Sequence, residues 1–155
     1  MHPLHFTDAT TPFEMAYTGS YSIQLVILSL LVATLAAFAS ISHVDLMRVT
    51  PSSSARFRWH LIGAVVMGAG VWTMHFLGMM ALRLPLAELY FDLELTLLSV
   101  IPAIIAGYIV LTVVEKPAPS AATILMGGAL MGLGVGAMHY LGMSGMRVEA
   151  RMLYQ

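Results

Sequence analysis

Leu61 to Pro85 reads LIGAVVMGAGVWTMHFLGMMALRLP, and Leu125 to Glu149 reads LMGGALMGLGVGAMHYLGMSGMRVE. At a fixed offset of 64 the two stretches agree at 12 of 25 positions without a gap. The shared positions include Gly68 with Gly132, Met74 with Met138, His75 with His139, Gly78 with Gly142, Met79 with Met143 and Arg83 with Arg147. Self-similarity at a fixed period marks a repeated structural unit. The two segments hold 11 of the 13 glycines and nine of the 13 methionines, so both residue types gather where the shared histidines are.

The repeat sits in a chain almost empty of charge. Only 10% of its 155 residues are charged and 59% are hydrophobic. No charge falls between Glu14 and Asp45, Arg58 and Arg83, Glu94 and Glu115, or Lys116 and Arg147, gaps of 30, 24, 20 and 30 residues. A bilayer core of roughly 30 Å needs about 20 apolar helical residues, so every gap is long enough to cross. The pattern predicts an all-α integral membrane protein whose four transmembrane helices form two repeated helix pairs. A net charge of −1 excludes the basic footprint of a nucleic-acid binder. Cysteine is absent, which removes disulfides and thiolate metal sites.

Outward from the repeat, the first helix is expected over about Tyr21–His43, the second over Trp59–Leu84 with a stop at Pro85, and the third over Leu95–Val114 with Pro102 as a kink. The fourth is expected from Ser120 to about Met146. The domain layout is then a periplasmic leader over 1–20, a membrane domain over 21–147, and the start of a further outer loop over 148–155, where the segment breaks off. Arg48, Arg56, Arg58 and Lys116 lie in the one-to-two and three-to-four loops, while the leader and the two-to-three loop hold no base. The positive-inside rule then places those loops in the cytoplasm and both termini outside. Trp72, Tyr90 and Tyr140 are read as interfacial anchors, and Arg83 and Arg147 as snorkelling to headgroups.

The shared core M-H-aromatic-L-G-M carries the candidate chemistry. Residues four apart on an α-helix lie roughly 40° apart around the axis, so His75 shares a face with Met79, and His139 with Met143. Met74 and Met138 point about 100° away by the same geometry. Imidazole beside thioether suits Cu(I), and imidazoles alone suit Cu(II) or Zn(II). Methionine is also an ordinary gap-filler, but ionisable residues inside a membrane are costly and default to function. No one helix offers a full ligand set, so helices two and four must contribute together. Gly128, Gly132 and Gly136 form a small-xxx-small stripe, and Ala64 with Gly68 a weaker one, through which these helices are expected to approach closely. No carboxylate, phosphate loop or Ser/His/Asp set lies in the spans, so the chain is not expected to be an enzyme.

Trp72-Thr73-Met74-His75-Phe76-Leu77-Gly78-Met79 and Gly136-Ala137-Met138-His139-Tyr140-Leu141-Gly142-Met143 resemble the motifs of the MHYT domain, a bacterial integral-membrane sensor module. The resemblance runs from helix one to the C-terminus. It departs at Phe76, where the motif has Tyr, and at Leu77 and Leu141, where it has Thr; Tyr140 is left as the one phenol. It implies copper bound near the outer face of the inner (cytoplasmic) membrane by His75, Met79, His139, Met143, Met74, Met138 and Tyr140. It further implies sensing of oxygen, carbon monoxide or nitric oxide, and signalling to a cytoplasmic output domain such as a diguanylate cyclase or phosphodiesterase. The family module resembles three helix pairs, and two are present, so a homo-oligomer is a further expectation. The same histidines also suit the axial positions of a haem, and the methionine-rich helices a copper transporter or chaperone. If one site is shared, helices two and four run parallel and carry both histidines to the same end of the bundle.

Overall fold

The computed structural model describes residues 20–83 and 87–150, with backbone only at 83, 87–89 and 147–150. The expected leader through residue 19, the stop at Pro85 and the segment from 151 lie outside the described residues. A two-residue strand β1 (Ser20–Tyr21) leads into α1 (Ile23–Val49); α2 (Ser53–Ala81) follows, then β2 (Leu82–Arg83) and β3 (Ala87–Phe91). The third crossing is α3 (Leu93–Leu98) and α4 (Val100–Val114), and the fourth is α5 (Ala121–Ser144), succeeded by β4 (Met146–Ala150). Four helical stretches of 27, 29, 22 and 24 residues are long and apolar enough to span a membrane. At 1.5 Å per residue even the shortest reaches about 33 Å. The protein is an all-α, multi-pass membrane fold.

Helix boundaries depart from the sequence expectation where charge reads as a loop signal. α1 continues six residues past His43 through Asp45 and Arg48, and α2 begins six residues before Trp59, so that Arg56 and Arg58 are helical. Both charged ends extend past the apolar stretch, where a helix satisfies its own backbone as well in water as in lipid. The turn is only Thr50–Ser52, set by Pro51. At the other end α2 stops at Ala81, and α5 stops at Ser144 instead of Met146. There the chain pairs as sheet: β1 with β2, and β3 with β4 in the register Phe91↔Met146 to Ala87↔Ala150. Backbone bonds extend both ladders, from Ser22 N–H to the Ala81 carbonyl and from Asp92 N–H to the Gly145 carbonyl. Arg83 and Arg147 therefore lie on strands, and their side chains fall outside the described part.

The helix ends at the strand side are thus tied in two pairs, α1 with α2 and α3 with α5, and α2 and α5 both run towards that side, parallel to each other. The lateral order is α1, α2, α4, α5: α2 packs along both α1 and α4, α4 packs along α5, and α2 meets α5 only narrowly. Ile27, Leu31, Leu35 and Phe38 of α1 face outward, as suits lipid. Inside, crossings close on small residues. A Cβ at Gly68 would lie 2.5 Å from the backbone N and Cα of Ile104, so α2 and α4 touch main chain to main chain. Such contact is the main source of helix association where lipid is as apolar as the side chains.

Two expectations about packing need correction. The stripe Gly128, Gly132 and Gly136 meets nothing within 4 Å; α5 instead approaches α4 through Gly127, against Val113, and Gly134, against Ala106 and the Pro102 carbonyl. Two glycine faces interleave on this helix, and the one used is the one whose gaps fit the methyl groups of α4. The second concerns the third crossing, which is interrupted at Ser99, three residues before Pro102. Proline lacks the N–H that would bond the carbonyl four residues earlier. Trp72 bridges this break, its indole N–H donating to the Thr96 carbonyl (3.0 Å) and the Ser99 hydroxyl oxygen (2.9 Å). It is an interhelical brace and not an interfacial anchor.

Candidate functional site

α2 and α5 meet at their motifs. His75 lies six residues before the end of α2 and His139 five before the end of α5. Their rings stand edge to face, centroids 4.9 Å apart at 79°. Both histidines are half-buried. The approach depends on Gly142, where a Cβ would sit 3.0 Å from Cζ of Phe76 and 3.7 Å from Nε2 of His75. Phe76 is buried beneath it, tilted against Trp72 (4.9 Å) and edge-on to Phe91 (5.7 Å). An aromatic wedge thus holds the His75 ring from α2 while a side-chain-free position on α5 lets the second helix close over it.

His75 Nε2 is buried and has no hydrogen-bond partner among the described residues. An orphaned polar nitrogen costs free energy in a low-dielectric interior, and this one belongs to a ring packed edge to face with a second imidazole. In its unprotonated form such a nitrogen could donate its lone pair to a metal ion. Among the described residues no three His, Asp or Glu gather anywhere. A metal on this pair would therefore complete its shell with softer donors.

The other candidates fall out unevenly. Met79 and Met143 stay half-buried one turn beyond their histidines, towards the strands. Met74 is half-buried as well, but Met138 is fully buried, 1% exposed, on the same stripe as Gly134 and Gly142, where it serves packing. Tyr140 is 76% exposed; its ring leans on His139 at 5.5 Å, but the structure does not bring it in with the pair. Gly142, Phe76 and Trp72 shape the site although none is a ligand type. Their signal in the sequence was weak: Gly142 is one shared glycine among several.

At the far end of the bundle His60 is a different kind of histidine. It is buried, its Nε2 lies 3.1 Å from the Tyr108 carbonyl and 3.3 Å from the Thr112 hydroxyl, and its Nδ1 faces Glu115 at 3.6 Å. His43 holds the Ala39 carbonyl in its own helix at 2.7 Å. Both rings are provided for; among the described residues only His75, of the motif pair, has a buried nitrogen left over.

Fold and site together define a helical membrane module with two sequence-related helices converging on a half-buried histidine pair. Residues 68–127 and 132–155 match the family described as "Bacterial signalling protein N terminal repeat", MHYT. The chain belongs to this family of membrane signalling domains. It is 39% identical over 136 residues to the cyclic di-GMP phosphodiesterase NbdA of Pseudomonas aeruginosa, covering 88% of this chain and 17% of that protein. Against the bifunctional diguanylate cyclase/cyclic di-GMP phosphodiesterase MucR of the same organism it is 36% identical, covering 88% and 20%. Against the signaling protein YkoW of Bacillus subtilis it is 30% identical over 127 residues, covering 81% and 15%. The chain spans a fifth or less of the length of these relatives. No solved structure matches it.

Proposed function

We propose that this chain is a membrane-embedded sensor module that binds copper between α2 and α5 and passes its state to a cytoplasmic output domain acting on cyclic di-GMP. The observation carrying this reading is the His75–His139 pair, joined at 4.9 Å from positions 64 residues apart, with one imidazole nitrogen buried and unpartnered. His75 and His139 would hold the ion, and Met79 and Met143 would supply thioether donors from the same helix faces. Two imidazoles with nearby thioethers, and no third histidine or carboxylate among the described residues, make a set soft enough for Cu(I). Bound there, copper would offer a coordination position to oxygen, carbon monoxide or nitric oxide, or report redox state. The residues of the chain do the rest: Phe76 orients the His75 ring, Gly142 admits α5, and the surrounding apolar helices exclude water.

Copper is favoured over haem by the packing. Gly142 rests against Phe76 and His75, so a porphyrin entering between α2 and α5 would have to displace this contact, whereas a single ion would not. The module itself is proposed to catalyse no reaction; in relatives more than four times its length, named cyclases and phosphodiesterases, chemistry would lie elsewhere in the chain. The strand end is proposed to face the outside of the inner membrane, because Arg48, Arg56, Arg58 and Lys116 all collect at the other end. Titration of the purified chain with Cu(I) and Cu(II) tests the reading. Saturable binding lost in a His75→Ala/His139→Ala double variant supports it; equal binding by both proteins would overturn it.

A further inference from the structure

At the end opposite the strands, three helices bring cations to one cleft. Arg48 stands in the last turn of α1, Arg56 in the first turn of α2, and Lys116 just after α4. The cleft between them measures about 480 Å³ and is lined by Arg48, Arg56, Thr112, Glu115, Lys116 and Pro117. Its one carboxylate is turned inward: Glu115 faces buried His60 at 3.6 Å. The Arg48 guanidinium donates to the Val114 carbonyl at 3.0 Å and stands 3.7 Å from Asp45. That second contact is an exposed i,i+3 pair, which neutralises little. Arg56 and Lys116 are exposed and form no ion pair among the described residues. Ser52 makes no side-chain cap, so the first N–H groups of α2 add their partial positive charge on the same side.

Three guanidinium or ammonium groups around one opening make a receptor for a phosphate. Their position selects the source. Arg48 ends the span Ile23–Val49, and Lys116 follows the span Leu93–Val114, so the cleft lies at headgroup level, where lipid phosphates are concentrated beside apolar helix walls. Basic pockets between transmembrane helices at this depth are suited to anionic headgroups, and the arginine fork donates two parallel hydrogen bonds to a phosphate. We propose that the cleft of Arg48, Arg56 and Lys116 binds the phosphate of an anionic phospholipid, which fastens the α1–α2 turn to the end of α4. The site is at the opposite end of the bundle from the histidine pair, and its test does not depend on copper.

The test is native mass spectrometry of the delipidated 155-residue chain in detergent, titrated with phosphatidylglycerol or phosphatidylcholine. Phosphatidylglycerol is expected to be retained in preference, and Arg56→Gln and Lys116→Gln each to weaken it about fivefold. Arg58→Gln removes the same charge from the same helix but does not line the cleft, and is expected to leave binding unchanged. Equal retention of the two lipids would overturn the proposal, as would an Arg58→Gln effect as large as that of Arg56→Gln, which would indicate a diffuse charged rim. Displacement of the lipid by an equal concentration of inorganic phosphate would overturn the lipid assignment in favour of a free anion.

Discussion

Gly68 and Gly132 occupy the same place in the two copies of the repeat, yet a Cβ at the first would collide with the backbone of Ile104 and one at the second would meet nothing within 4 Å. The neighbouring face behaves differently. Gly70 and Gly134 also correspond, and both are pressed against an alanine of the preceding crossing, Ala36 and Ala106. Each motif helix therefore has one glycine face for the helix before it and one for the helix after it. α2 uses both, since it lies between α1 and α4. α5 uses the first only, and its second lies bare among the described residues. The aromatic position follows the same rule: Phe76 is 8% exposed and its counterpart Tyr140 is 76% exposed. A repeated sequence specifies what a helix can pack against, and the neighbour decides whether it does.

Substitutions at paired positions test that asymmetry. Gly68→Leu should cost about 3 kcal/mol, because the backbone of α4 cannot yield as a side chain would. Gly132→Leu should stay within about 0.5 kcal/mol. Denaturant unfolding of both variants in the same detergent measures the contrast, and equal losses would mean that the second glycine face is covered after all. Copper binding should instead be symmetrical: His75→Ala and His139→Ala are each expected to weaken it at least on the order of 100-fold, beyond what losing an outer-shell partner costs, and Tyr140→Phe to leave it unaltered. A calorimetric titration in which one histidine variant binds normally would break the shared site.

Smaller effects sharpen the picture. Phe76→Ala should destabilise by about 2 kcal/mol, mainly through the cavity it leaves, and should loosen the His75 ring; Tyr140→Ala should be silent in the same thermal melts. Trp72→Phe removes the indole donor that spans the break at Ser99 and should cost about 1 kcal/mol. Its counterpart in the second copy is Gly136, which braces nothing. A larger aromatic side chain at Gly136 is accordingly expected to be tolerated in these melts.

Charge-free gaps and the offset of 64 were enough to read four crossings, two helix pairs, parallel motif helices and histidines at a common end, because the cost of charge in lipid and helical periodicity act along the chain itself. The sequence also singled out His75 and His139, since their duplication is visible without any contact. What it could not decide were matters of which surfaces meet. Two glycine stripes on α5 look equally smooth, and only the methyl groups of α4 select Gly127 and Gly134. Tyr140 and Phe76 look equivalent, and only the lateral order of helices buries one and exposes the other. Charged residues near helix ends read as loop, although α1 and α2 simply continue past the apolar span. Trp72 and Ser99 became partners across 27 positions only when Pro102 interrupted the third crossing. Local terms set the crossings; the close fit between helices, a property of pairs of surfaces, set the site.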